Sequence, residues 1–189
     1  GVATFTTLTA TNITNPSIPY STATLTFTPA TGTGSVASAS FTVPGISPTL
    51  TAAVGATVDN PFAITFTDNA TWRSAITSIT VGGTLLSASA YSTTTAGQIT
   101  FTPSASALLQ SAGSKSIVVV ATGYSNASLT QSIGVGAPNK LAMNIQPTAP
   151  SVNGGVLATQ PKVNIVDQYG NLTSSTASIT ASATQGTWT

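Results

Sequence analysis

Apolar residues alternate with threonine and serine along most of this chain, in short runs separated by glycine- and proline-containing turns. The clearest run sets Phe62, Ile64 and Phe66 against Thr65 and Thr67. A period of two is the mark of a strand with one face buried. The same pattern predicts strands over 1–8, 22–28 (Ala23, Leu25 and Phe27 on one face), 36–43, 140–146, 156–167 and 177–184. Turns fall at 12–19, 31–34 and 168–171. Helical spacing is nearly absent, with single turns expected near 71–76 and 104–110.

One stretch, Pro48 to Ile133, reads as a complete folding unit from first strand to last. Trp72 is the largest apolar side chain in it and is expected to cap its core. Short segments, Val43–Pro48 and Gly134–Asn139, are expected to link this unit to its flanks. At 189 residues the chain has room for two sandwich domains of about 90–100 residues each.

Composition narrows the function classes sharply. Only 4% of residues are charged, with acids at Asp59, Asp68 and Asp167 and bases at Arg73, Lys115, Lys140 and Lys162. A net charge of +1 offers no electrostatic footprint for nucleic acid or anionic lipid. Thr and Ser, roughly a third of the chain, take the place of charge on the solvated strand faces. The sequence contains no His, Cys or Glu. Ser-His-Asp and Cys-His catalysis, disulfides and the usual zinc sites are therefore excluded. No apolar run approaches the ~18 residues of a membrane helix.

Several motifs within the central unit occur together: Pro48-Thr49-Leu50, Asp68-Asn69-Ala70-Thr71-Trp72-Arg73, Ile79-Thr80-Val81-Gly82-Gly83 and Ala121-Thr122-Gly123-Tyr124. On these residues the segment resembles the Ig-like hemoglobin-interacting (Shr-type) domain family of bacterial surface proteins. The resemblance implies an immunoglobulin-like sandwich and, for some members, binding of a host protein. The flanks resemble invasin- or adhesin-type Ig-like repeats in permuted order. Gly154 to Pro161 and Val166 to Asn171 look like a first half; Gly1-Val2-Ala3-Thr4 and Tyr20 to Phe27 look like a second.

The expected fold is thus all-β, with two immunoglobulin-like sandwiches, one complete and one split between the chain ends. The expected divisions are 1–47 (a C-terminal half), 48–137 (a complete domain) and 138–189 (an N-terminal half). Three strands with one apolar face cannot make a core alone and need a partner sheet. Completion by a neighbouring repeat or copy, head to tail, generates a stalk or filament. The alternative is that both flanks fold back and complete each other within one chain, which linkers of about six residues, reaching at most ~20 Å, permit only with strain. The residues expected to meet across that junction are Val2, Ala3, Phe5, Leu8, Leu25, Phe27, Val163, Ile165 and Ile179.

Candidate chemistry is sparse. Asp68, Asn69, Trp72 and Arg73 form a candidate ligand patch. The alternative for the same residues is a turn in which Asp68 caps a short helix, Arg73 pairs with it and Trp72 fills the core. Asp167 in Asp-Gln-Tyr-Gly-Asn suits a hairpin turn better than calcium, which wants six or more oxygens. Sequons place candidate glycosylation at Asn12, Asn69, Asn126 and Asn171. The composite expectation is a non-enzymatic extracellular structural protein without catalytic residues, metal or cofactor. Its partner is another copy of itself, with no nucleic acid and no membrane insertion. The competing expectation is a module that binds hemoglobin or another host protein.

Overall fold

The first four strands are short and pair only two by two. β1 (Tyr20–Ala23) runs antiparallel to β4 (Phe41–Pro44), and β2 (Thr26–Phe27) to β3 (Val36–Ala37). The structure, a computed structural model, describes residues 2–9, 20–32 and 34–182. Residues 2–9 join no ladder, although the Phe5 ring lies 5.3 Å from that of Phe27. The strand expected over 1–8 is thus not formed in its described part. Those expected over 22–28 and 36–43 are each broken into shorter pieces. A two-stranded ribbon is marginal on its own, and Phe5, Leu8 and Val36 remain 57%, 60% and 65% exposed, without the partner layer that would hold long strands straight.

The central stretch behaves differently. In chain order it contains β5 (Phe62–Thr65), α1 (Ala70–Ser74), β6 (Ile76–Val81), β7 (Thr84–Leu85), β8 (Tyr91–Ser92) and β9 (Gln98–Phe101). Then follow α2 (Ala107–Gln110), β10 (Gly113–Ala121) and β11 (Ala127–Ile133). One antiparallel sheet has the order β11-β10-β6-β7, the other β5-β9-β8. The single helical turns expected near 71–76 and 104–110 appear as α1 and α2, displaced by a residue or a few.

Alternation explains the core. Ile64, Ile99 and Phe101 of the smaller sheet are fully buried, as are Ile79, Ile117 and Val119 of the larger. Trp72 from α1 and Leu109 from α2 join them. Each such side chain contributes about 1.5–3 kcal/mol of burial, far more than the flanking ribbons obtain. The β6–β7 hairpin turns on Gly82 and Gly83, both at positive φ (58° and 81°). This is a type I′ turn, which requires residues free of the Cβ clash.

The segment expected as the first linker is not free. Gly45 N–H donates to Gly123 O at 2.8 Å, and Ser125 N–H donates to Gly45 O at 2.9 Å, a parallel bridge. The Ser47 hydroxyl adds a bond to Ser125 O. Chain packing accordingly separates two compact units, Gly1–Gly134 and Val135–Thr189, with the N-terminal flank grouped with the central stretch.

In the second unit, β12 (Lys140–Ile145) pairs antiparallel with β13 (Lys162–Val166). The long strand expected over 156–167 forms only at its end, and no strand forms over 177–182. The expected end of that strand, and Trp188, lie outside the described residues. A turn follows β13 as expected, built around Asp167. Taken together the regular structure is mostly β-strand with short helices, an all-β chain. Among the described residues no helix is long and apolar enough to cross a membrane.

Candidate functional site

α1 exists because of a cap. Asn69 has extended backbone (φ −133°, ψ 98°), and its side-chain oxygen accepts from Trp72 N–H at 3.0 Å. The capping residue is therefore Asn69 and not Asp68, as the sequence suggested. Asp68 is engaged elsewhere: its Oδ1 accepts from Arg73 Nε at 3.0 Å and from Gly97 N–H at 2.9 Å. The expected pairing of Asp68 with Arg73 is formed, and it is the ion pair found among the described residues.

Arg73 spans the corner. Its Nη1 donates to Thr93 O at 3.2 Å and more weakly to Thr94 O at 3.5 Å. The guanidinium and the carboxylate thus pin the 93–97 loop onto α1 from two sides. Gly97 is required there, with φ 68°, and a Cβ would meet Phe66 O at 3.1 Å. The Arg73 hydrogen bond, then that from Gly97, holds the Asp68 carboxyl below its usual 3.8. Both charged groups remain in partial contact with solvent, at 36% and 20% exposure.

Trp72 is withdrawn from the patch. It is fully buried, and its ring meets Phe66 edge-on with centroids 5.0 Å apart. Its indole N–H has no acceptor among the described residues. Of the four residues named from sequence, Asp68, Asn69 and Arg73 present polar atoms at one corner, while Trp72 supports them from beneath. Beside this corner a cleft of ≈350 Å³ is lined by Ile46, Ser47, Pro48, Thr49, Thr67 and Asp68 with Asn69. The docked 43–48 segment makes one wall of it. The corner offers hydrogen-bonding groups beside modest apolar surface.

The remaining candidates scatter. Ala3 is exposed; Val2, Leu25 and Ile179 are 95%, 37% and 45% exposed, while Phe27, Val163 and Ile165 are half-buried. Asn126 is exposed in the loop before β11. Asn69 is engaged as the cap, and Asn171 Nδ2 donates to Asp167 Oδ2 at 2.8 Å. Asn12 lies outside the described residues.

Asp167 is buried and fully occupied. It accepts from Gly136 N–H, Tyr169 N–H and Asn171 N–H, each at 2.9 Å, besides the Asn171 side chain. Burial pushes its carboxyl up, but these bonds outweigh burial and hold it below the usual 3.8. This is a turn organiser, its carboxylate oxygens taken up by local donors. No cluster of three His, Cys, Asp or Glu is found among the described residues.

Two structural contacts of this stretch carry little or no sequence signal. The carbonyls of Thr93 and Thr94 carry no sequence signal at all. Gln131 does: it occupies an apolar register position in Ala127-Ser-Leu129-Thr-Gln131-Ser-Ile133 and is fully buried.

Residues 50–134 match the family described as heme-binding protein Shr-like, Hb-interacting domain. That span contains the Asp68–Arg73 corner and both sheets of the central stretch. No curated protein and no solved structure matches the chain.

Proposed function

We propose that the Shr-like, Hb-interacting segment, residues 50–134, is a hemoglobin-binding module displayed at a bacterial cell surface. The family match carries this reading. The Asp68–Asn69–Arg73 corner and its cleft are the surface assigned to the partner, because polar groups are held rigid there on a buried Trp72. Binding rests on shape and hydrogen bonds, since a net charge of +1 gives little long-range steering. The chain acts without catalysis. The test is binding of the full chain to immobilised hemoglobin, with globin free of heme and an unrelated protein as controls. Saturable binding that weakens on Thr71→Lys, at an exposed position of α1, supports the assignment. Equal signal on all three surfaces overturns it.

A second reading concerns the flanks, which we take as the two halves of a split Ig-like sandwich. Each half is completed by a neighbouring copy in a stalk or filament. Exposed apolar residues on both flanks favour it: Val2, Phe5, Leu8 and Val36 on one, Leu141, Met143 and Val156 on the other. Such surfaces in a soluble monomer are docking or aggregation sites. Sedimentation across a concentration series tests this. Discrete head-to-tail species, lost on Phe5→Ser together with Phe27→Ser, support it; a monomer at every concentration rules it out.

A further inference from the structure

Asn153 and Gly154 are the central pair of a tight turn in the loop between β12 and β13. Gly155 N–H donates to Val152 O at 3.0 Å, Gly154 has φ 77°, and Asn153 keeps a negative φ. This is a type II turn, which wants glycine in its third position. Gly155 is needed as well, because a Cβ there would meet Val152 O at 3.0 Å. Both central residues are exposed. Neither the Asn153 carboxamide nor the Gly154 N–H takes part in a hydrogen bond among the described residues. Space beside Gly154 is open, with no atom within 4 Å of where a Cβ would stand.

From this geometry we infer that Asn153 is a site of spontaneous modification, converting through a succinimide to aspartate and isoaspartate. The Gly154 main-chain nitrogen, once it has given up its proton, adds to Cγ of the Asn153 carboxamide. A C–N bond closes the imide ring and the side-chain nitrogen leaves as ammonia. Water then opens the imide at either carbonyl. No oxidant or reductant is involved, and water is the only co-reactant.

Asn153 stands apart from every other asparagine in the chain, because it alone precedes glycine. Asn126 is followed by alanine, Asn139 by lysine and Asn144 by isoleucine, whose Cβ atoms crowd the attacking nitrogen. The product matters in a chain with so few charges. One new carboxylate takes the formal net charge from +1 to zero, a condition that favours association. The isoaspartate form also routes the backbone through the former side chain and lengthens the turn.

The experiment is incubation of the full chain in mildly alkaline and in mildly acidic buffer, followed by peptide mass mapping of every asparagine. The expected result is conversion at Asn153 roughly tenfold or more faster than at Asn126 or Asn139, because glycine removes the Cβ obstruction. It should be faster in the alkaline buffer. Asn153→Gln should abolish it, since ring closure through one more carbon is slow. That variant leaves the turn intact, because the Asn153 side chain makes no hydrogen bond among the described residues. Retention of the Asn153 amide under conditions that convert the denatured chain would overturn the inference, by showing that the folded turn protects it. So would faster conversion at Asn126.

Discussion

The side chain of Gln131 pairs with the backbone of Ala53 as a neighbouring strand would. Ala53 N–H donates to Gln131 Oε1 at 2.8 Å, and Gln131 Nε2 donates back to Ala53 O at 3.0 Å. A second Nε2 bond reaches Ser132 O at 2.7 Å. The segment entering the domain leaves β5 after the Thr51–Thr65 bridge and regains β11 at Thr57 opposite Gly134. Between those points one buried amide stands in for the missing ladder.

Gln131→Leu should therefore destabilise the first unit by about 1–3 kcal/mol, since both half-buried Ala53 groups lose their partner. Gln131→Glu tests the geometry through pH. A buried carboxyl facing Ala53 O is held protonated, so its folded pKa lies above the unfolded value. Its stability is present below the unfolded pKa and lost as pH rises through the folded one. Chemical denaturation from acid to neutral pH should show stability falling in this variant.

Asp167 should respond in the opposite sense. Its folded pKa is depressed, so its contribution is present above the unfolded value and lost as pH falls through the folded one. Asp167→Ala should cost roughly 2 kcal/mol at neutral pH, because four donors lose a charged acceptor. The gap between variant and natural protein should close in strong acid. Amide exchange at Tyr169 and Asn171 reads this locally. Fast exchange at both in the natural protein at neutral pH would contradict the described turn.

Trp72→Ala should cost about 3–5 kcal/mol, the loss for a large aromatic in a packed core. Trp72→Phe should cost only about 1 kcal/mol, since the indole N–H has no acceptor to lose and its burial is itself unfavourable. Thermal unfolding by circular dichroism ranks the two. Equal losses would mean that the N–H has a partner after all.

Gly97→Ala should destabilise by about 1–2 kcal/mol, from its left-handed φ of 68° and the close Phe66 carbonyl. Loosening of the 93–97 loop should follow, seen as faster exchange at the Gly97 amide, which Asp68 otherwise protects. An unchanged melting point would show that the backbone there relaxes freely.

Much of the candidate site was legible. Asp68, Asn69, Trp72 and Arg73 stand out in a chain with so few charged and aromatic residues, and the Asp68–Arg73 pairing follows from their spacing. Sequence does not separate Asp68 from Asn69 as the cap, because Asp and Asn serve equally well in that position. Only the position of Gly97 and the reach of Arg73 decide which of them is free to do so. In the flanks, alternation predicts longer strands than form, since it says that a face wants burial and not whether a partner supplies it.

The sequence by itself determined the all-β class, the turns that need glycine, the core role of Trp72 and the absence of His, Cys and Glu chemistry. Those properties are local, because side-chain period, left-handed φ and residue inventory are each set within a few positions. Tertiary structure alone decided that Gln131 replaces a ladder 78 residues away, that Gly45 docks on Gly123, and that the flanking ribbons stay short. Hydrogen-bond partners so distant along the chain are chosen by which faces the packed core leaves beside one another, and no periodicity encodes that choice.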